Sequence, residues 1–61
     1  MKLLDIKRKS KIYADCSDGS KHLIFHHLDG LYSYCETDKG DVINLHNQTL
    51  LVEFEDGYKI Y

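Results

Sequence analysis

An all-β fold is predicted for this chain, a five- to six-stranded antiparallel meander closing into a small barrel. Three observations predict it: regularly spaced turn signals, period-two alternation between them, and few helix formers. Asp18-Gly19, Asp29-Gly30 and Asp56-Gly57 are Asp-Gly pairs, and Lys39-Gly40 sits inside Asp38-Lys39-Gly40-Asp41. Asp-Gly suits a two-residue hairpin loop because the type I′ turn needs positive φ at both central positions. The glycines fall 11, 10 and 17 residues apart, the spacing of short strands in a barrel or sandwich. The longest gap has room for a further turn, and His46-Asn47-Gln48-Thr49 is polar enough to supply it.

Taken in order, the first segment is ambiguous in period. Leu4 and Ile6 can face inward from a strand that continues through Lys7-Arg8-Lys9, whereas Leu3 and Ile6 can mark one helical turn. The strand is the expectation here. Ile12, Ala14 and Cys16 then alternate with Lys11, Tyr13 and Asp15. Leu23, Phe25 and His27 alternate with His22, Ile24, His26 and Leu28, so residues 22–28 are apolar on both parities. Leu31, Ser33 and Cys35 alternate with Tyr32, Tyr34 and Glu36; Val52 and Phe54 alternate with Glu53 and Glu55; Tyr58-Lys59-Ile60-Tyr61 follows. A single alanine and three glutamates leave little to favour helix. In size and hairpin order this meander resembles the small barrels of the Src-homology, Tudor and Sm type. The absence of proline fits closure, because a closed barrel has no open edges for proline to guard.

Residues 1–61 are read as one small β-barrel domain. A chain of this length buries only about 60% of the surface its unfolded form exposes. That excludes a two-domain enzyme, a dinucleotide-binding fold and a deep substrate cavity. No apolar run approaches the roughly 20 residues of a membrane span, and no signal-peptide pattern is present, so no membrane role and a cytoplasmic location are expected. Reduced thiols at Cys16 and Cys35 follow from the same expectation.

The net charge of −2 argues against indiscriminate adhesion to nucleic acid, but the charge is uneven. Lys2, Lys7, Arg8, Lys9 and Lys11 outnumber Asp5 and give residues 1–11 a sum of +4, while the other fifty residues carry −6.

Six potential metal ligands are ordered C-x5-H-x3-H-H-x7-C-x10-H, without the paired spacing of a zinc knuckle. On a regular strand His22 and His26 lie roughly 13 Å apart, and His26 and His27 point to opposite faces. No metal or cofactor is expected, with a site built from different strands, such as Cys16 with Cys35 and one histidine, left open. Nucleophilic catalysis needs a base and an orienting carboxylate converging on a Ser or Cys, and no serine here occupies a strand-to-helix elbow. Glu53 and Glu55 would share a strand face about 6–7 Å apart, yet the chain is too small to form a cleft around a sugar. No enzyme is expected.

Two binding readings are left. Tyr32 and Tyr34 share a strand face opposite Leu31 and Cys35, with Ile24 and His26 beside them if that face of the neighbouring strand is open. Tyrosine gives a large contact area at low entropic cost, so these four residues make a candidate surface for recognising or regulating a larger protein or a second copy of the chain. The alternative is RNA or single-stranded DNA, held by Lys7, Arg8, Lys9 and Lys11 with Tyr13 in a tyrosine platform. Pairing of the first and last strands would work against that alternative by bringing Lys7 and Lys9 opposite Glu53 and Glu55.

Overall fold

A computed structural model describes residues 1–61 as one six-stranded sheet curled into a half-barrel. A single 3₁₀ turn, Leu3–Asp5, precedes β1 (Lys11–Tyr13), β2 (His22–Asp29), β3 (Tyr32–Thr37), β4 (Val42–His46), β5 (Leu51–Phe54) and β6 (Gly57–Ile60). The strand order is β4-β3-β2-β1-β6-β5. All-β architecture and barrel-like curvature are therefore present. β1 to β4 form the antiparallel meander, and β5–β6 form a separate antiparallel hairpin. That hairpin joins the meander through a parallel pairing of β1 with β6, which makes the sheet mixed.

Inward side chains from alternate positions meet in a thin core of Leu3, Ile6, Ile12, Leu23, Phe25, Cys35 and Leu51, with Tyr58, Ile43 and Leu45 packed against it. The N-terminal segment departs from the strand expectation. Leu3 and Ile6 are buried while Leu4 is 39% exposed, the spacing of one helical turn. The turn is fixed by its neighbours. Leu3 N–H donates to Thr49 O at 2.8 Å, Leu4 N–H to Asn47 O at 3.2 Å, and Leu51 N–H to Met1 O at 2.7 Å. The segment thus bridges the corner between β4 and β5, where the chain passes from one sheet edge to the other.

The turns fall where the glycines and the His46–Thr49 stretch place them, with one shift. Gly19, Gly30 and Gly40 have positive φ, and Thr49 N–H closes a turn onto His46 O at 2.9 Å. At the last hairpin Phe54 pairs with Gly57, so the loop residues are Glu55 and Asp56, and Glu55 takes the positive φ. Gly57 serves a different purpose. A Cβ there would lie 2.3 Å from the Lys11 carbonyl oxygen, so glycine is what lets β6 run close beside β1.

Candidate interaction face

The outer surface of β2 and β3 is set by register. Ile24 lies opposite Glu36, His27 opposite Tyr34 and Asp29 opposite Tyr32, while Phe25 and Cys35 pair on the buried side. Between Phe25 and His27 the register shifts by a bulge that accommodates His26. The extra residue cancels one step of the pleat. His26 and His27 therefore share a face, contrary to the opposite faces expected of a regular strand, and their Nδ1 atoms are 2.8 Å apart. This also removes His27 from the inward set in which simple alternation places it.

Around that bulge the rings pack in sequence. His27 stacks on Tyr34 at 5.0 Å between centroids and 16° between planes, and His26 meets Tyr34 edge-on at 5.3 Å. One strand further, His46 on β4 meets Tyr32 edge-on at 5.2 Å. Tyr32 is 49% exposed, His26 is exposed, and Ile24 and Tyr34 are half-buried. All four residues of the tyrosine-face expectation thus lie on the outer surface of two adjacent strands. His27 and His46 join them unforeseen. The His26-His27 doublet was the only sequence signal for the first, and nothing local marks the second.

The basic residues divide into two groups. Lys7, Arg8 and Lys9 are exposed and none makes an ion pair. Their segment runs along β2 beyond the end of β1: Lys9 N–H donates to Phe25 O at 2.8 Å, Phe25 N–H to Ser10 O at 2.9 Å, and Arg8 Nε–H to His26 O at 3.0 Å. The expected pairing of Lys7 and Lys9 with Glu53 and Glu55 does not occur, because the parallel β1–β6 register brings Lys11 to Asp56 instead, at 3.3 Å. Tyr13 also donates to Asp56. These two hydrogen bonds, from Tyr13 and then Lys11, hold the Asp56 carboxyl below its usual range and raise both partners above theirs. A shallow hollow of about 450 Å³ beside them is lined by Glu53, Glu55 and Asp56 as well as Lys11. Lys11 and Tyr13 consequently face carboxylates, and the basic stretch does not continue onto them.

No three His, Cys, Asp or Glu side chains converge as a metal centre would require. Glu55 occupies the β5–β6 turn and not a strand face shared with Glu53. Cys35 is fully buried and burial pushes its thiol up to about 11; Cys16, half-buried, is raised for the same reason, and both are free. No helix is long and apolar enough to cross a membrane. Comparison of the chain with protein-family models, with curated proteins and with solved structures finds no match in any of the three.

Proposed function

We propose that the chain is a non-enzymatic binding module that recognises or regulates a larger protein through the outer face of β2 and β3. The observation that carries this reading is the placement of Tyr32, Tyr34, Ile24 and His26 on one open face, extended by His27 and His46. Phenol and imidazole rings packed against one another lose little side-chain freedom on contact. They present apolar area with polar tips, the composition enriched where proteins meet. Exposed Val42 lies on the same face one strand further, separated from Ile24 by Glu36.

Binding of RNA or single-stranded DNA is the second reading. What favours it is that Lys7, Arg8 and Lys9 lack carboxylate partners and run beside the same bulge. Its weakness is the loss of Lys11 and Tyr13 to Asp56.

Affinity purification of the tagged chain, with and without nuclease, separates the two. A protein partner that survives nuclease, that binds about tenfold or more weakly to Tyr34→Ala, and that is lost with Ile24→Asp supports the first reading. Material that vanishes with nuclease and binds with a steep salt dependence would replace it by the second.

A further inference from the structure

β2 is eight residues long and β1 three, so past Phe25 the β1-side edge of β2 has no strand partner, while β3 still pairs its other edge. Leu4, Ile6 and Arg8 lie beside this edge and, with Phe25, His27 and Leu28, line a groove of about 480 Å³. Of the four hollows on the molecule, only this one is lined mainly by hydrophobic residues; the others have one each. Leu4 and Leu28 are 39% and 49% exposed at its mouth.

We propose that this groove seats a short acidic and apolar segment of the partner protein, with Arg8 taking a carboxylate of that segment; the inference rests on the partner being a protein. Three features choose this occupant. First, the Arg8 guanidinium is held by Nε–H on the His26 carbonyl, and its two terminal nitrogens make no hydrogen bond. A fork fixed at one corner with its outer donors free matches a carboxylate. Second, no carboxylate lines the groove. Asp5, next to Leu4, is hydrogen-bonded to Lys2 N–H, and Asp29, next to Leu28, lines a different hollow with Tyr32 and Asn44. Third, Lys7 and Lys9 flank Arg8 without ion pairs, so the local field is positive on a chain that is acidic as a whole. Leu4, Ile6, Phe25 and Leu28 then call for an apolar side chain next to the acid. His27 lines the groove and stacks on Tyr34, so one partner can span both surfaces.

The probe is a synthetic octapeptide alternating Glu with Leu and Phe, titrated against the isotope-labelled chain by NMR. Controls are the same peptide with Gln for Glu, one with Lys for Glu, and an oligothymidine. The expected result is resonance shifts centred on Leu4, Phe25 and Leu28, and affinity for the Glu peptide about tenfold above the Gln peptide. Arg8→Glu should lose that margin and turn the preference toward the Lys peptide, and Arg8→Lys should fall between. Leu28→Glu, at an exposed position, should abolish binding while the spectrum stays dispersed. Tyr34→Ala should change peptide affinity less than about twofold. Equal binding of Glu and Gln peptides, shifts confined to Tyr32 and Tyr34, or tighter binding of the oligothymidine would each overturn the inference. So would a mass that rises with concentration and falls in Arg8→Glu, which would give the groove to a second copy. If the groove variants leave capture of the partner intact while Tyr34→Ala abolishes it, only the groove fails. If neither set affects capture, the tyrosine face fails with it.

Discussion

One oxygen of the Asp18 carboxylate accepts the Ser20 N–H at 2.8 Å and the other accepts the Thr37 hydroxyl at 2.7 Å, so a single side chain ties the β1–β2 loop to the β3–β4 turn. Thr37 Oγ1 in turn accepts the N–H groups of Lys39 and Asp41, and Lys39 Nζ donates to the Asp18 carbonyl at 2.6 Å. The hydrogen bond from Ser20 N–H, followed by that from Thr37, holds the Asp18 carboxyl well below the usual carboxylate range. The neighbouring Asp18 pushes the Asp41 carboxyl the other way. The two signs lead to opposite pH behaviour. Asp18, depressed in the fold, contributes stability that is present above its unfolded value near 3.9 and is lost as pH falls toward its folded value. Asp41, raised in the fold, costs stability at neutral pH and ceases to do so as pH falls through its folded value. Thermal melts across pH 2–7 should therefore show that Asp18→Asn lowers the midpoint at pH 7 and flattens the acid limb. Asp41→Asn should raise the midpoint slightly at pH 7, with the gain disappearing in acid. Parallel acid limbs for Asp18→Asn and the parent would show that the loop bonds do not depend on ionised Asp18.

At the scale of elements, the N-terminal turn and the β1–β6 pair each make a sharp prediction. Leu3 is fully buried and Leu4 exposed, so Leu3→Ala should cost about 2–5 kcal/mol and Leu4→Ala much less, read from urea midpoints. For a domain of this size the larger loss approaches the whole stability, roughly 3–5 kcal/mol. A strand in place of the turn would reverse the ranking by burying Leu4. Gly57→Ala should cost about 1–3 kcal/mol by overpacking, because the added methyl meets the Lys11 carbonyl; an unchanged midpoint would mean that the two strands do not approach so closely. These elements also show what was legible beforehand. Except for β4, whose residues were assigned no alternation, the strands and turns came through because alternation and turn chemistry are local, and the Tyr32–Tyr34 face came with them through parity alone. The turn at Leu3 was ambiguous because a segment this short fits either period. The bulge at His26 was hidden because it moves one residue without changing the composition around it. Parallel pairing of β1 with β6 joins residues more than forty positions apart, and that register placed Lys11 beside Asp56 while leaving Lys7 and Lys9 free. The Asp-Gly signal at 56–57 marked the right hairpin, but its glycine answers to a neighbouring strand and not to the loop.

The whole molecule is a sheet whose two edge strands, β4 and β5, are consecutive in sequence yet not hydrogen-bonded to each other. Curvature alone would leave a gap between them, and the corner of that gap is closed by residues 1–4 and the turn at 46–49. Asn47 is the centre of this closure. Its carbonyl accepts Leu4 N–H at 3.2 Å, its own N–H donates to Leu31 O at 2.9 Å, its side-chain oxygen accepts the buried Ser33 hydroxyl at 2.6 Å, and Nδ2 donates to Gly30 O at 2.9 Å. One residue thus links the N-terminal segment, the β2–β3 turn and β3. Asn47→Ala keeps the backbone bonds but strands the Ser33 hydroxyl in the core, a penalty of about 1–3 kcal/mol. Loosening should spread unevenly, because β1 to β3 hold their ladders without the corner. In native-state hydrogen exchange the amides of Leu3, Leu4 and Leu51 should therefore open ahead of those of β2 and β3 in Asn47→Ala, whereas in the parent they should open together with the sheet. Since Leu4 and the groove beside it depend on the same corner, peptide binding at Arg8 should weaken in this variant. Uniform acceleration of every amide would instead make the barrel a single cooperative unit, with no separable closure at the corner.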